Sequence, residues 1–135
     1  MSLCRTRPIV GLGLFLAAAS FAPAPSEKPP TISPLAEARY RAAVKQFDET
    51  WAYYRQARID SYQVYVWSRL VLESRRTIAV KPAEQITALE DHLDRMKKLE
   101  ELVTKIRRLG FGRSYDVGAS EYYRLEAESW LEQVK

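Results

Sequence analysis

Cysteine and histidine are almost absent from this 135-residue chain, which contains one of each. The cysteine, Cys4, lies before the first apolar run, so it is not placed as a lipoprotein acceptor and would be removed with a signal peptide. A mature chain without cysteine forms no disulfides. The histidine, His92, is flanked by acidic residues, but adjacent positions on a helix point apart. We therefore predict no metal site and no cofactor, and we expect His92 on a solvated helix face.

Long apolar runs are also absent after residue 21. Before that point, Arg5 and Arg7 precede an uninterrupted run of apolar and small residues over 9–21, and small residues follow. This order is typical of a secretory signal peptide. The run is shorter than the roughly 20 apolar residues that span a membrane. We predict a signal peptide over 1–24 and export to the periplasm or cell envelope, with no membrane span after cleavage.

Excess charge of one sign is small. The formal net charge is +4, and removing Arg5 and Arg7 with the signal peptide leaves +2. This balance gives no electrostatic argument for nucleic-acid binding, so we predict no nucleic-acid partner. The carboxylates near the C-terminus have no histidine, cysteine or glycine-rich loop to complete a catalytic set. We therefore predict that the protein is not an enzyme and has no catalytic residues.

Proline is concentrated in one segment, since five of the seven prolines lie within 22–34. This composition predicts an extended tether over 25–33, followed by a helical domain over 34–135. Pro34 suits the first position of a helix, with Ser33 as its N-cap. Apolar residues then recur at steps of three and four, first from Tyr40 and again from Val64. The phase breaks over 56–62, which fits a tight turn or a bent helix, and the absence of glycine and proline there favours one helix over 34–80.

The second half of the chain has clearer boundaries. Pro82 opens a helix whose apolar stripe continues to Leu109, and Gly110 is the expected stop. Ser114 is the expected N-cap of a last helix that reaches residue 133. Gly118 weakens that helix, so we expect a neighbouring helix to approach it closely. Three acid–base pairs at i, i+4 should support the exposed face, namely Asp91–Arg95, Asp94–Lys98 and Glu101–Lys105. The fold class is all-α: an elongated antiparallel hairpin or bundle of three or four long helices.

An internal repeat relates the two halves. Shifting the chain by 53 residues aligns Ser61-Tyr62 with Ser114-Tyr115 and keeps the pattern Ser-Tyr-x-Val in step. The spacing predicts a duplicated helical unit.

At these residues the sequence resembles the periplasmic helices of the outer-membrane efflux protein (TolC-like) family. The resemblance lies in "RRLGFGRSYDVGASEYYRLEAE", with "YRQARIDSYQVYVWSRLVLES" as a worn first copy. Leucine is usual in the family where Gly118 stands, Ala57 replaces the first glycine, and the barrel strands are missing. The resemblance therefore implies only a coiled-coil hairpin whose turn meets a periplasmic adaptor. The residues that match this turn are Gly110, Arg113, Ser114 and Asp116.

Two functions follow as expectations. The first is an exported envelope protein that takes part in protein interactions or in an efflux assembly without its own barrel. The second is a free periplasmic chaperone or stress-type protein that binds clients along an apolar groove. A purely structural coiled coil is a third reading, in which "RSYD" is only a capped turn. In each case, self-association through the helical seams is a further possible partnership.

Overall fold

The structure is a computed structural model that describes residues 31–135, and the predicted signal peptide and residues 25–30 of the tether lie outside this range. Four helices follow in order: α1 Pro34–Arg55, α2 Ser61–Ile78, α3 Pro82–Arg108 and α4 Ser114–Glu132. The described residues contain no β-strand. The predicted all-α bundle is therefore confirmed, with four helices. None of these helices combines the length and apolar character needed to cross a membrane.

The expected continuous helix over 34–80 is wrong, because the chain turns between α1 and α2. Ala57 adopts a left-handed backbone conformation with φ 56°. Its N–H donates to the Tyr54 carbonyl at 2.9 Å, and the Arg58 N–H donates to the Tyr53 carbonyl at 3.1 Å. This pair of bonds is the Schellman motif that ends helices. Asp60 then caps α2 by accepting the Gln63 N–H at 3.2 Å.

The same motif ends α3, where glycine was expected to stop the helix. Gly110 has φ 83° and donates to the Arg107 carbonyl at 3.0 Å, while Phe111 donates to the Ile106 carbonyl at 3.1 Å. The residues of this motif lie 53 positions after their counterparts in the first turn, whereas Gly112, with φ 75°, corresponds to Ile59, which is not left-handed. The repeat seen in the sequence thus corresponds to two helical hairpins, α1–α2 and α3–α4.

The starts of the helices follow local signals in part. Pro34 and Pro82 occupy the first turns of α1 and α3, as predicted. Ser114 is the first residue of α4 and not its N-cap, which is Arg113 and makes no side-chain capping bond. Gly118 has no neighbour within 4 Å of the position a β-carbon would occupy, so the expected close approach of a helix is also wrong.

The core lies where α2 packs against the α3–α4 hairpin. α1 packs on α2 and reaches α3 through long side chains. Thirteen buried residues form one apolar cluster: Tyr54, Val64, Tyr65, Leu72, Ala88, Leu89, Leu93, Met96, Leu99, Val103, Tyr123, Ala127 and Leu131. Burial of such side chains gives roughly 1.5–3 kcal/mol each, far more than the ion pairs on the surface. None of the three expected i, i+4 pairs lies within the 4.0 Å that defines an ion pair, and Asp91 instead binds Arg75 of α2 at 2.7 Å.

Candidate functional site

The two turns lie side by side at one end of the bundle, and we call this end the tip. It consists of the turn residues 56–60 and 109–113, with the helix ends next to them. The Ser61 hydroxyl at the start of α2 donates to Asp116 Oδ1 in the first turn of α4, at 2.9 Å. Both side chains are buried. This hydrogen bond holds the beginnings of α2 and α4 together and so fixes the two turns relative to each other.

Large apolar side chains are exposed on the tip. Leu109 is 64% exposed, Phe111 70% and Tyr115 60%. Between the two turns lies an open cleft of about 370 Å³, whose lining includes Ala57, Arg58, Ile59, Ile106, Phe111 and Arg113. Isolated exposed apolar residues are common on proteins, but a cluster beside a cleft is typical of interaction surfaces.

The tip is also cationic. Its arginines outnumber its carboxylates, which are Asp60, engaged as a helix cap, and the buried Asp116. The Arg58 guanidinium lies 4.8 Å from the centroid of the Tyr53 ring. Arg113 donates to the Tyr115 hydroxyl, and this hydrogen bond raises the pKa of Arg113. Arginine stacked on aromatic rings keeps its fork of donors available for a carboxylate.

The four residues predicted for the partner-binding turn all lie at this end. Gly110, Arg113 and Ser114 are exposed, and Asp116 is 8% exposed with its carboxylate turned to Ser61. Their role in binding stays a prediction. Leu109 was expected at the end of the apolar stripe of the helix that begins at Pro82, but it is 64% exposed, and Phe111 was not singled out. Two large apolar residues flanking the glycine of a predicted turn were a visible signal.

A second exposed surface runs along α4. Tyr115, Tyr122 and Leu125 are exposed on one face of the helix, with Gly118 between the two tyrosines. Tyr62 of α2 is exposed beside this face, and its ring lies 6.1 Å from that of Tyr65, which stacks on Tyr123 with ring centroids 4.0 Å apart. An aromatic band therefore connects the core to the surface between α2 and α4.

His92 is fully buried, so its expected position on a solvated face is wrong. It lies on the stripe that also carries Leu89, Met96 and Leu99, at helical steps of three and four. Nδ1 is 2.9 Å from the Ser68 hydroxyl, and the ring stacks on Trp130 with centroids 5.7 Å apart. The helical spacing of these positions indicates that His92 is buried, whereas the acidic residues next to it led to the expectation of a solvated face.

Burial controls the chemistry of His92. Desolvation, with repulsion from Arg95 and Arg69, lowers its pKa from 6.5 to about 3. His92 Nε2 is the buried side-chain nitrogen that lacks a hydrogen-bond partner within residues 31–135. Ser68 and His92 have the distance of a nucleophile and its base, but both are 0% exposed. No substrate reaches this pair in the structure described, and no carboxylate orients Nε2 as a triad requires.

Side chains that could bind a metal ion do not cluster in the described part of the chain: no group of three histidine, cysteine, aspartate or glutamate residues could hold an ion there. The comparisons with known proteins return no relatives: no protein-family model matches the chain, nor does any curated protein or solved structure.

Proposed function

We propose that this chain is a protein-interaction module of the cell envelope and that it binds an envelope partner through the tip. The observation that carries the proposal is the exposure of Phe111, which lines a cleft together with Arg58 and Arg113, and of Leu109 in the same turn. Interfaces are enriched in aromatic residues and arginine at their centres. The complementary partner surface is an apolar pocket with carboxylates at its rim.

The resemblance to TolC-like proteins supports a particular class of partner. In that family the matching turn meets a periplasmic adaptor, and here the matching residues border the same exposed surface as Phe111. The proposed role is therefore that of an adaptor-binding or efflux-assembly component. Export by the predicted signal peptide would place the tip in the compartment where such adaptors lie.

Chemical crosslinking in intact cells tests this proposal. The double variant Phe111→Ser/Arg113→Glu removes the apolar contact and reverses a charge at the tip. The matched control is Leu35→Ser/Arg39→Glu, which makes the same two kinds of change at exposed positions of α1 near the other end of the bundle. We expect the tip variant to lose its crosslinks to the envelope partner and the control to retain them.

Folding must be checked in both variants, because an unfolded protein would also lose its partner. Exposed substitutions usually change stability by less than about 0.5 kcal/mol, so both should melt near the temperature of the original protein. A folded tip variant that crosslinks as strongly as the control would refute binding through the tip.

The aromatic band along α4 favours the second candidate, a free envelope chaperone that binds clients on an apolar face. Tyr122 and Leu125 are exposed and lie about 10–16 Å along the helix from the tip, at 1.5 Å per residue. Under this function, the protein is a monomer or dimer with many weak crosslinks. Tyr122→Ser/Leu125→Ser would abolish these crosslinks, and the tip variant would leave them unchanged.

A further inference from the structure

A small cleft separates α1 from α3 and contains no residue of the two turns. It has a volume of about 200 Å³ and is lined by Phe47, Trp51, Arg95 and Lys98. The aromatic side chains come from α1 and the two cations from α3. Neither hairpin turn contributes to the cleft, so it is independent of the proposed docking surface.

Arg95 is the unusual member of this group. Sequence reasoning placed it on the exposed face in a pair with Asp91, but Asp91 is held by Arg75 at 2.7 Å. Arg95 instead turns inward, and its Nε donates to the Ser68 hydroxyl at 2.8 Å. Within residues 31–135, no carboxylate oxygen lies within 4.0 Å of its guanidinium. Burial accordingly lowers the pKa of Arg95.

Arg95 lines the cleft and has donors without an acceptor among the described residues. A guanidinium has five N–H groups, and among the described residues only the one on Nε has an acceptor. Among the described residues, the buried side-chain atom without a hydrogen-bond partner is His92 Nε2. The unpartnered Nη nitrogens of Arg95 are therefore not completely buried. They are at least partly accessible, and Arg95 is one of the four side chains that line the cleft. Asp91 and Asp94 stabilise this charge only from a distance, so desolvation outweighs their effect. A desolvated cation with no carboxylate in direct contact is costly, and binding an anion there would offset this cost.

The walls of the cleft select the body of the anion. Phe47 and Trp51 are stacked with ring centroids 6.1 Å apart, and the Arg95 guanidinium lies 5.5 Å from the Phe47 centroid. Lys98 places a second, exposed cation at the rim. Aromatic walls favour a flat apolar group over a hydrated inorganic ion, because aromatic rings pack against each other and exclude water.

We propose that the cleft between α1 and α3 binds a small aromatic carboxylate, whose carboxylate group pairs with Arg95 and Lys98 and whose ring packs against the Phe47 and Trp51 side chains that line the cleft. The fork of the guanidinium suits a planar carboxylate in a two-point contact. The volume of about 200 Å³ is below the roughly 300–1,000 Å³ of pockets for drug-sized ligands, which limits the ligand to a single ring with a short acidic group.

Titration with phenylacetate, followed by NMR of the ¹⁵N-labelled protein produced from the full chain, tests this site. Three matched probes separate the contributions: phenylacetamide has the ring without the charge, acetate has the charge without the ring, and inorganic phosphate is an anion of different shape. We expect phenylacetate to shift the Arg95 Nε–H and the Trp51 indole N–H in a saturable way. Each of the other probes should bind at least about tenfold more weakly, because each lacks one of the two contacts.

Two exposed lysines provide a comparison that does not endanger folding. Lys98→Gln removes the cation at the rim and should weaken phenylacetate binding about fivefold, whereas Lys97→Gln, next to it but outside the cleft, should leave binding unchanged. Absence of saturable shifts at Arg95 and Trp51 would overturn the proposal. Phenylacetamide or phosphate binding as tightly as phenylacetate would also overturn it, as would equal effects of the two lysine variants.

Discussion

Replacing Gly110 by alanine should destabilise the protein through the backbone alone. Gly110 has φ 83°, and no atom lies within 4 Å of the position that a β-carbon would occupy. The substitution therefore causes no clash. A left-handed conformation costs a residue with a β-carbon roughly 1–2 kcal/mol. About 0.4–1 kcal/mol of this cost is offset, because the unfolded chain with alanine has less conformational freedom than the unfolded chain with glycine. The net loss is about 1 kcal/mol, or about 4–8 °C in melting temperature.

Two further variants turn this expectation into a test of the structure. Gly118→Ala is the same chemical change in the interior of α4, where the backbone is helical and the space is open. It should stabilise the protein by about 0.5–1 kcal/mol. Ala57→Gly relieves the left-handed alanine of the first turn, whose φ is 56°, and should stabilise the protein by about 1 kcal/mol.

Urea denaturation at pH 7.5 measures all three free energies of unfolding. The left-handed backbone of Gly110 and the helical backbone of Gly118 require opposite signs for the two Gly→Ala variants. If Gly110→Ala is as stable as the original protein, or if Ala57→Gly is less stable, the two turns do not share the backbone conformation described for them.

The remaining predictions concern buried polar groups and export. In the unfolded chain the histidine has a pKa of about 6.5 and binds a proton below that pH, whereas buried His92, with a pKa of about 3, does not. Stability should therefore fall as the pH drops from 6.5 towards 3. Urea denaturation should show a loss of about 2 kcal/mol between pH 7.5 and 5.0 that His92→Leu removes, and an equal loss in that variant would contradict the burial of His92. Ser61→Ala should cost about 1–3 kcal/mol in the same assay because it leaves the Asp116 carboxylate buried without its donor; a silent variant would show that the hydrogen bond is not needed. If the protein is exported as predicted, mass spectrometry of protein recovered from the cell envelope should find its N-terminus between residues 21 and 26, and an intact Met1 would contradict cleavage.

The boundaries of α3 and α4 could be predicted because they depend on local backbone signals. Pro82 fits only the first turn of a helix, and Gly110 takes the left-handed conformation that ends one. The turn at 56–60 was missed because alanine occupies the left-handed position there. Its remaining signals were the break in the apolar phase and the pair Asp60-Ser61, which is typical of a helix start. The prediction gave more weight to the absence of glycine, but in the folded protein the chain turns at these signals.

The buried polar contacts depend on residues far apart in the sequence. Ser61 and Asp116 are 55 residues apart, and Ser68 and His92 are 24 apart. The expected pairing of Arg95 with Asp91 failed because Arg75, on another helix, competes for the same carboxylate. Spacing along one helix contains no information about such competitors. The cleft beside Arg95 was therefore not visible from the sequence.

The two turns of the tip share the same helix-ending backbone motif but carry different side chains. Phe111 follows the left-handed residue of the second turn, and the residue at the equivalent position of the first turn is Arg58. The residue that precedes each following helix also differs, because Arg113 precedes α4 and Asp60 precedes α2. Two copies of one turn would otherwise present a near-symmetric surface, on which a partner has two equivalent orientations. Because the side chains of the two turns differ, these two orientations are unequal. A bound partner would therefore dock in one orientation relative to the bundle.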